Sequence, residues 1–181
     1  VTEYKDRKPL GSVPVFLVHH MTGEIVGLIA ALRSLGCRDL TVLFVSYASE
    51  PPASYLEAVL DLPPDEFRAL ALVNVPQRET VEGMYRLSQQ YSQLESSKSI
   101  ERAVGNTTHF LEAMRAAGMA PFLQQLSRAA KGNQRCLLIE DGGYLAPILN
   151  DGILRGLTVQ EFASQHGHQI TDNRPLKELI D

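Results

Sequence analysis

The chain has 181 residues, 44% of them hydrophobic and 21% charged, with a formal net charge of −4, which suits one domain built around a single core. Lys and Arg are scattered through it rather than gathered into the basic face that neutralises phosphates, so nucleic acid is excluded as a partner. No apolar run approaches the roughly 18 to 20 residues that span a bilayer, and the N-terminus is polar without a signal-peptide pattern; the expectation is a cytoplasmic protein with no membrane partner.

Val13-Pro-Val-Phe-Leu-Val18 reads as a buried strand, short, rich in β-branched residues and apolar on both faces. Ile25, Leu28, Ile29 and Leu32 then recur at helical spacing, and Gly36 is placed to close that helix. Leu40 to Val45 is the second strand, and Glu50-Pro-Pro52 suits the start of a helix over 53–60. Ala69 to Val75 is the third strand, ended by Pro76. A helix from Thr80 would carry Val81, Met84 and Tyr85 on one face. The polar stretch Ser88 to Ser99 reads as helix, connection or insertion.

Ser99 can cap a helix whose Ile100, Ala103, Val104, Leu111 and Met114 form a stripe ending near Gly118, and Phe122, Leu126, Ala129 and Ala130 make another before Gly132. Arg135 to Ile139 is the fourth strand. Thr158-Val-Gln-Glu161 is a capping box, and Pro175 begins a last short helix. Strands alternating with helices imply an α/β fold: a three-layer, doubly wound, mainly parallel sheet of Rossmann-like or flavodoxin-like type in a single domain.

Ligands of such sheets bind beyond the carboxyl ends of the strands. His20, Thr22 and Glu24 follow strand one; Glu140 and Asp141 follow strand four, with Gly142 and Gly143 free to turn the backbone sharply. If the two strands are neighbours, both clusters face one crevice. The structural alternatives are that Thr22 or Asp141 caps a helix and that Asp141-Gly142 is an ordinary turn. His166-Gly-His168 has metal-pair spacing without an evident third ligand, so no metal site is assigned. His19 and His109 read as a strand-end and a helix-surface residue. Cys37 and Cys136, the only cysteines, lie too far apart for a CxxC pair and read as buried thiols. No G-x-G-x-x-G, P-loop, G-x-S-x-G or H-E-x-x-H occurs.

His20-Met-Thr-Gly-Glu24, followed by a Leu/Ile/Ala-rich helix ending Leu35-Gly36, resembles the H-M-T-x-E segment of the adenosylhomocysteinase family. Leu138-Ile-Glu-Asp-Gly-Gly143 resembles that family's L-D-D-G-G segment, in the same order along the chain. The resemblance spans residues 13 to 147 and is carried by these two motifs. It implies the substrate-binding domain of an adenosylhomocysteinase-like hydrolase. His20, Thr22 and Glu24 would hold the adenosine part of the ligand, and Asp141 would act in acid/base catalysis beside the ribose; Glu140, Gly142 and Gly143 are added as substrate-binding candidates from their place at the same strand end.

The resemblance also implies that NAD is carried by a second, Rossmann domain, which this chain lacks, so no cofactor is expected here. The family's E-x-T-T-x-G segment and its catalytic Lys/Asp segment have no clear counterpart, and Tyr144 stands where an acid usually follows Gly-Gly. Because the chain begins with Val and ends just after a short helix, it reads as a segment of something longer. The expected partner is a small-molecule nucleoside, and a homo-oligomer is left open. A non-catalytic nucleoside sensor and an α/β interaction domain are the alternative readings.

Overall fold

The computed structural model describes residues 6–46, 54, 57–58, 61–63, 65–75, 84–87 and 97–180. Among these, five strands form one sheet in the order β4-β3-β2-β1-β5: β1 (Val15–His20), β2 (Leu40–Ser46), β3 (Phe67–Val75), β4 (Met84–Leu87) and β5 (Leu137–Glu140). The first three and β5 run parallel, and β4 lies antiparallel at the edge beside β3. The fold is α/β, Rossmann-like and three-layered.

The continuous apolar runs become strands because both faces of the sheet are covered. Val15, Leu17, Val42 and Phe44 point to one face, where Ile25, Ile29 and Leu32 of α1 (Gly23–Ser34) pack. Phe16, Val18, Leu43 and Leu70 point to the other, beneath α2 (Ser97–Gly105) and α3 (Phe110–Lys131). Each such Leu or Phe contributes on the order of 1.5–3 kcal/mol by leaving water. Beyond β5 the chain forms α4 (Ala146–Leu154), α5 (Val159–Gln165) and a 3₁₀ turn at Leu176–Glu178 that follows Pro175.

Several helix ends match their sequence signals. Gly36, at φ +98°, follows the end of α1; its amide bonds to the Arg33 carbonyl and that of Cys37 to Leu32, the paired pattern that a left-handed glycine permits. The capping box is complete: Thr158 accepts from the Glu161 amide, and the Glu161 carboxylate accepts from the Thr158 amide at 2.9 Å.

Other expectations are corrected. Both histidines of the first motif belong to β1 itself, which begins at Val15. Gly118 does not end a helix; α3 runs through it and through Pro121 for 22 residues. A Cβ at Gly118 would press within 3.3 Å of Leu145 and Leu43, so the glycine serves close packing. The left-handed residue closing α3 is Asn133, at φ +52°, not Gly132. The stripe from Ile100 to Met114 is broken by the turn at 106–109, which resets the helical phase; Ala103 is exposed and Leu111 is 43% exposed. Met84 and Tyr85 lie on β4 rather than on a helix, because pairing with β3 satisfies that strand's outer backbone groups. Thr80 and Val81, the Glu50-Pro-Pro52 helix start, most of 53–60 and residues 88–96 lie outside the described residues. Among the described residues no helix is long and apolar enough to cross a membrane.

Candidate functional site

From β1 the chain passes through α1 to β2 and β3 on one side, then returns through α3 to β5 on the other side of β1. The strand order therefore reverses between β1 and β5, and their carboxyl ends mark the position at which open α/β sheets take ligands. Val18 pairs with Glu140, and the Asp141 amide donates to the Val18 carbonyl at 2.9 Å. The two sequence motifs thus lie side by side, brought together by a strand pairing that neither motif encodes alone.

Alternation along β1 sends the two histidines to opposite faces. His20 Nε2 lies 3.7 Å from Asp141 Oδ2, with side chains 22% and 53% exposed, so the pair is open to a ligand from solvent. His19 Nδ1 lies 2.9 Å from the His20 carbonyl, and its ring is close enough to Glu24 to favour the ionised carboxylate. His19 is a strand-end residue, as its sequence position indicates, and it stands at the rim of the candidate site. The signal for that place was the doublet itself: two adjacent strand residues cover both faces.

Thr22 occupies the N-cap position of α1 with extended backbone, yet its side chain makes no capping bond. Its hydroxyl goes instead to Glu24. That bond, then the residue's own amide and the field of His19, hold the Glu24 carboxyl below its ordinary value against a small opposing burial effect. Thr22, Gly23 and Glu24 are all exposed. The predicted residues therefore form two pairs, Thr22–Glu24 and His20–Asp141, on either side of the end of β1.

Glu140 is differently placed. Its two carboxylate oxygens accept from the Leu145 and Ala146 amides at 2.7 and 2.9 Å, capping α4, whose own N-cap residue is a leucine. The intervening loop turns on Gly142 and Gly143, both at positive φ. The Tyr144 ring, 7% exposed, folds back over Gly142 and meets Phe110 edge-on at 5.7 Å. Phe110 in turn lies 5.7 Å from Tyr85 on β4, so an aromatic row runs from the sheet edge to this loop. Helix α4 was not foreseen; Pro147 in its first turn was its sequence signal.

The histidines of the His166-Gly-His168 pair lie elsewhere, His166 packing on Phe162 at 4.7 Å with burial lowering its pKa. Among the described residues no three metal-binding side chains cluster. His109 is an exposed residue at the N-cap position of α3.

The β1–α1 turn does not fit the pyrophosphate of NAD. A dinucleotide needs glycine bends and unopposed amides at the first helix, whereas here Glu24 sets a carboxylate in that first turn. Comparison of the chain with protein-family models, with curated proteins and with solved structures finds no significant match.

Proposed function

We propose that the crevice between β1 and β5 binds a nucleoside of the adenosine or S-adenosylhomocysteine type, and that the chain by itself does not perform NAD-dependent hydrolysis. The observation that carries this reading is the His20–Asp141 approach at 3.7 Å, which joins the two motifs at the switch point of the sheet. The Thr22–Glu24 pair supplies carboxylate oxygens that accept from hydroxyl or amino groups, and Glu24 remains ionised below the ordinary carboxylate range. Asp141, half exposed beside His20, is placed to accept a proton from a ribose hydroxyl, with His20 holding the carboxylate's orientation. Turnover of the adenosylhomocysteinase kind needs a dinucleotide domain of roughly 150 further residues.

Calorimetric titration of adenosine and S-adenosylhomocysteine into the chain, beside Glu24→Ala and Asp141→Asn, tests the reading. Binding is expected to weaken in each variant, because each removes a charged acceptor from the site. Affinity unchanged in both variants, or no binding by the parent chain, overturns it.

One observation favours an α/β interaction domain instead: Glu140 is spent on capping α4, as a structural residue would be. That reading expects Glu24→Ala to leave fold and partners intact.

A further inference from the structure

We infer that the cleft between the second half of α3 and the 168–172 segment is an anion site that takes a phosphate group. It lies at the opposite end of the sheet from the crevice. Helix α3 begins beside Tyr144, after β5, and its last turns reach Asp39, before β2. The cleft has a volume of about 400 Å³ and is lined by Gln124, Ser127, Arg128, Lys131 and His168, among others.

The four α3 residues share one stripe, at spacings of three, four and seven. The rest of the helix around them is largely buried: Leu123, Leu126, Ala129 and Ala130 are all in the core. An otherwise covered helix thus leaves a polar, cationic strip facing a void that the 168–172 segment spans without filling.

Arg128 is fixed in place rather than waving in solvent. Its Nη2 donates to Gln125 Oε1, and to Thr41 Oγ1 at 3.4 Å, while Nε lies 3.5 Å from Asp39 Oδ2. Gln125, fully buried, is itself held by Thr41 at 2.7 Å and by the Asp39 carbonyl at 3.0 Å. Nη1 makes no hydrogen bond among the described residues, leaving its donors for a ligand.

Charge at this end is unbalanced. Asp39 is shared by Arg68 and Arg128, and Lys131 has no ion pair among the described residues. Burial, and after it the neighbouring charge of Arg128, lowers the Arg68 pKa to about 10. Asp172 lines a neighbouring cavity that shares Ser127 and Lys131 with the cleft, but it is taken by Arg174 at 2.8 Å. A phosphate beside Ser127 would bring the missing negative charge to a pre-set guanidinium and an exposed ammonium, the usual donors for such groups.

The test is calorimetric titration of the whole chain at pH 7.5 and fixed ionic strength with inorganic phosphate, pyrophosphate and ribose 5-phosphate, beside Lys131→Glu and Lys98→Glu. Lys98 is exposed on α2 and makes the same change in net charge. Saturable binding is expected, weakened roughly tenfold by Lys131→Glu and unchanged by Lys98→Glu. Tighter binding of ribose 5-phosphate than of inorganic phosphate assigns the cleft to a phosphate ester; equal affinity assigns it to the free ion. Absence of saturation, or equal losses in the two variants, overturns the inference.

Discussion

The ring of Tyr144 lies over the Cα of Gly142 so closely that any Cβ there would fall within the ring's envelope. The ring cannot swing aside, because it is nearly buried and packed against Phe110. Gly142 also sits at φ +118°, outside the regions L-residues favour. Two adjacent glycines therefore carry different constraints. Gly143, at φ +67°, has open space where its Cβ would be. Gly142→Ala is expected to cost about 2–3 kcal/mol, through strain and the displaced ring, and Gly143→Ala about 1 kcal/mol, from conformation alone. Urea denaturation of the two variants measures both, and equal losses would refute the role given to Tyr144.

Glu140 supports the Asp141 loop through the helix it caps. With both oxygens on α4 amides, Glu140→Ala leaves the first turn of that helix uncapped next to the Asp141 loop. The expected loss is about 1–2 kcal/mol of stability, in the range of other lost helix caps. Glu140→Gln, which keeps one acceptor oxygen, should recover part of it. Hydrogen exchange at the Leu145 and Ala146 amides gives a local readout, and protection unchanged in Glu140→Ala would contradict the capping role.

Much of the architecture was legible because local pattern and tertiary environment agree. The apolar runs of β1, β2 and β3 are buried on both faces, so no alternation was needed to find them. Where the environment decides, sequence alone misled: Gly118 looks like a helix end but is a packing notch under Leu43 and Leu145, and Met84–Leu87 is a strand only because β3 offers an edge. The site was legible as two motifs, but their adjacency depends on β5 pairing with β1, a long-range fact. The separate duties of Glu140 and Asp141 could not be read from two adjacent acids; they follow from the backbone turn that sends one side chain to α4 and leaves the other beside His20.

Both cysteines are buried, and burial raises the Cys37 thiol to about 11. At pH 8 the thiolate, the reactive form, is accordingly scarce, and access is blocked as well. Neither Cys37 nor Cys136 should react with a thiol-specific disulfide reagent in the native chain at pH 8 beyond the rate set by unfolding, whereas both should react at once in denaturant. Fast native labelling of one equivalent would show that the fold opens locally around that cysteine.

Asp172 ties the C-terminal segment to the end of α3. Its carboxylate takes three bonds from Arg174, one of them from the backbone amide, and Arg174 Nη2 continues to the Ala130 carbonyl at 2.5 Å. These bonds hold the Asp172 pKa below its ordinary 3.8, the Arg174 side chain being the largest cause. Because the folded value is depressed, the pair's contribution is fully present above the unfolded pKa of about 3.9 and is lost as pH falls through the lower folded value. Asp172→Asn is therefore expected to destabilise the chain by about 1–2 kcal/mol at pH 7, a figure that allows for the partial exposure of Arg174. The gap between the two proteins should close as the pH is taken below about 4. Parallel urea titrations from pH 7 to pH 3 decide it: a difference that stays constant would show that the asparagine acts through packing rather than through loss of the carboxylate charge.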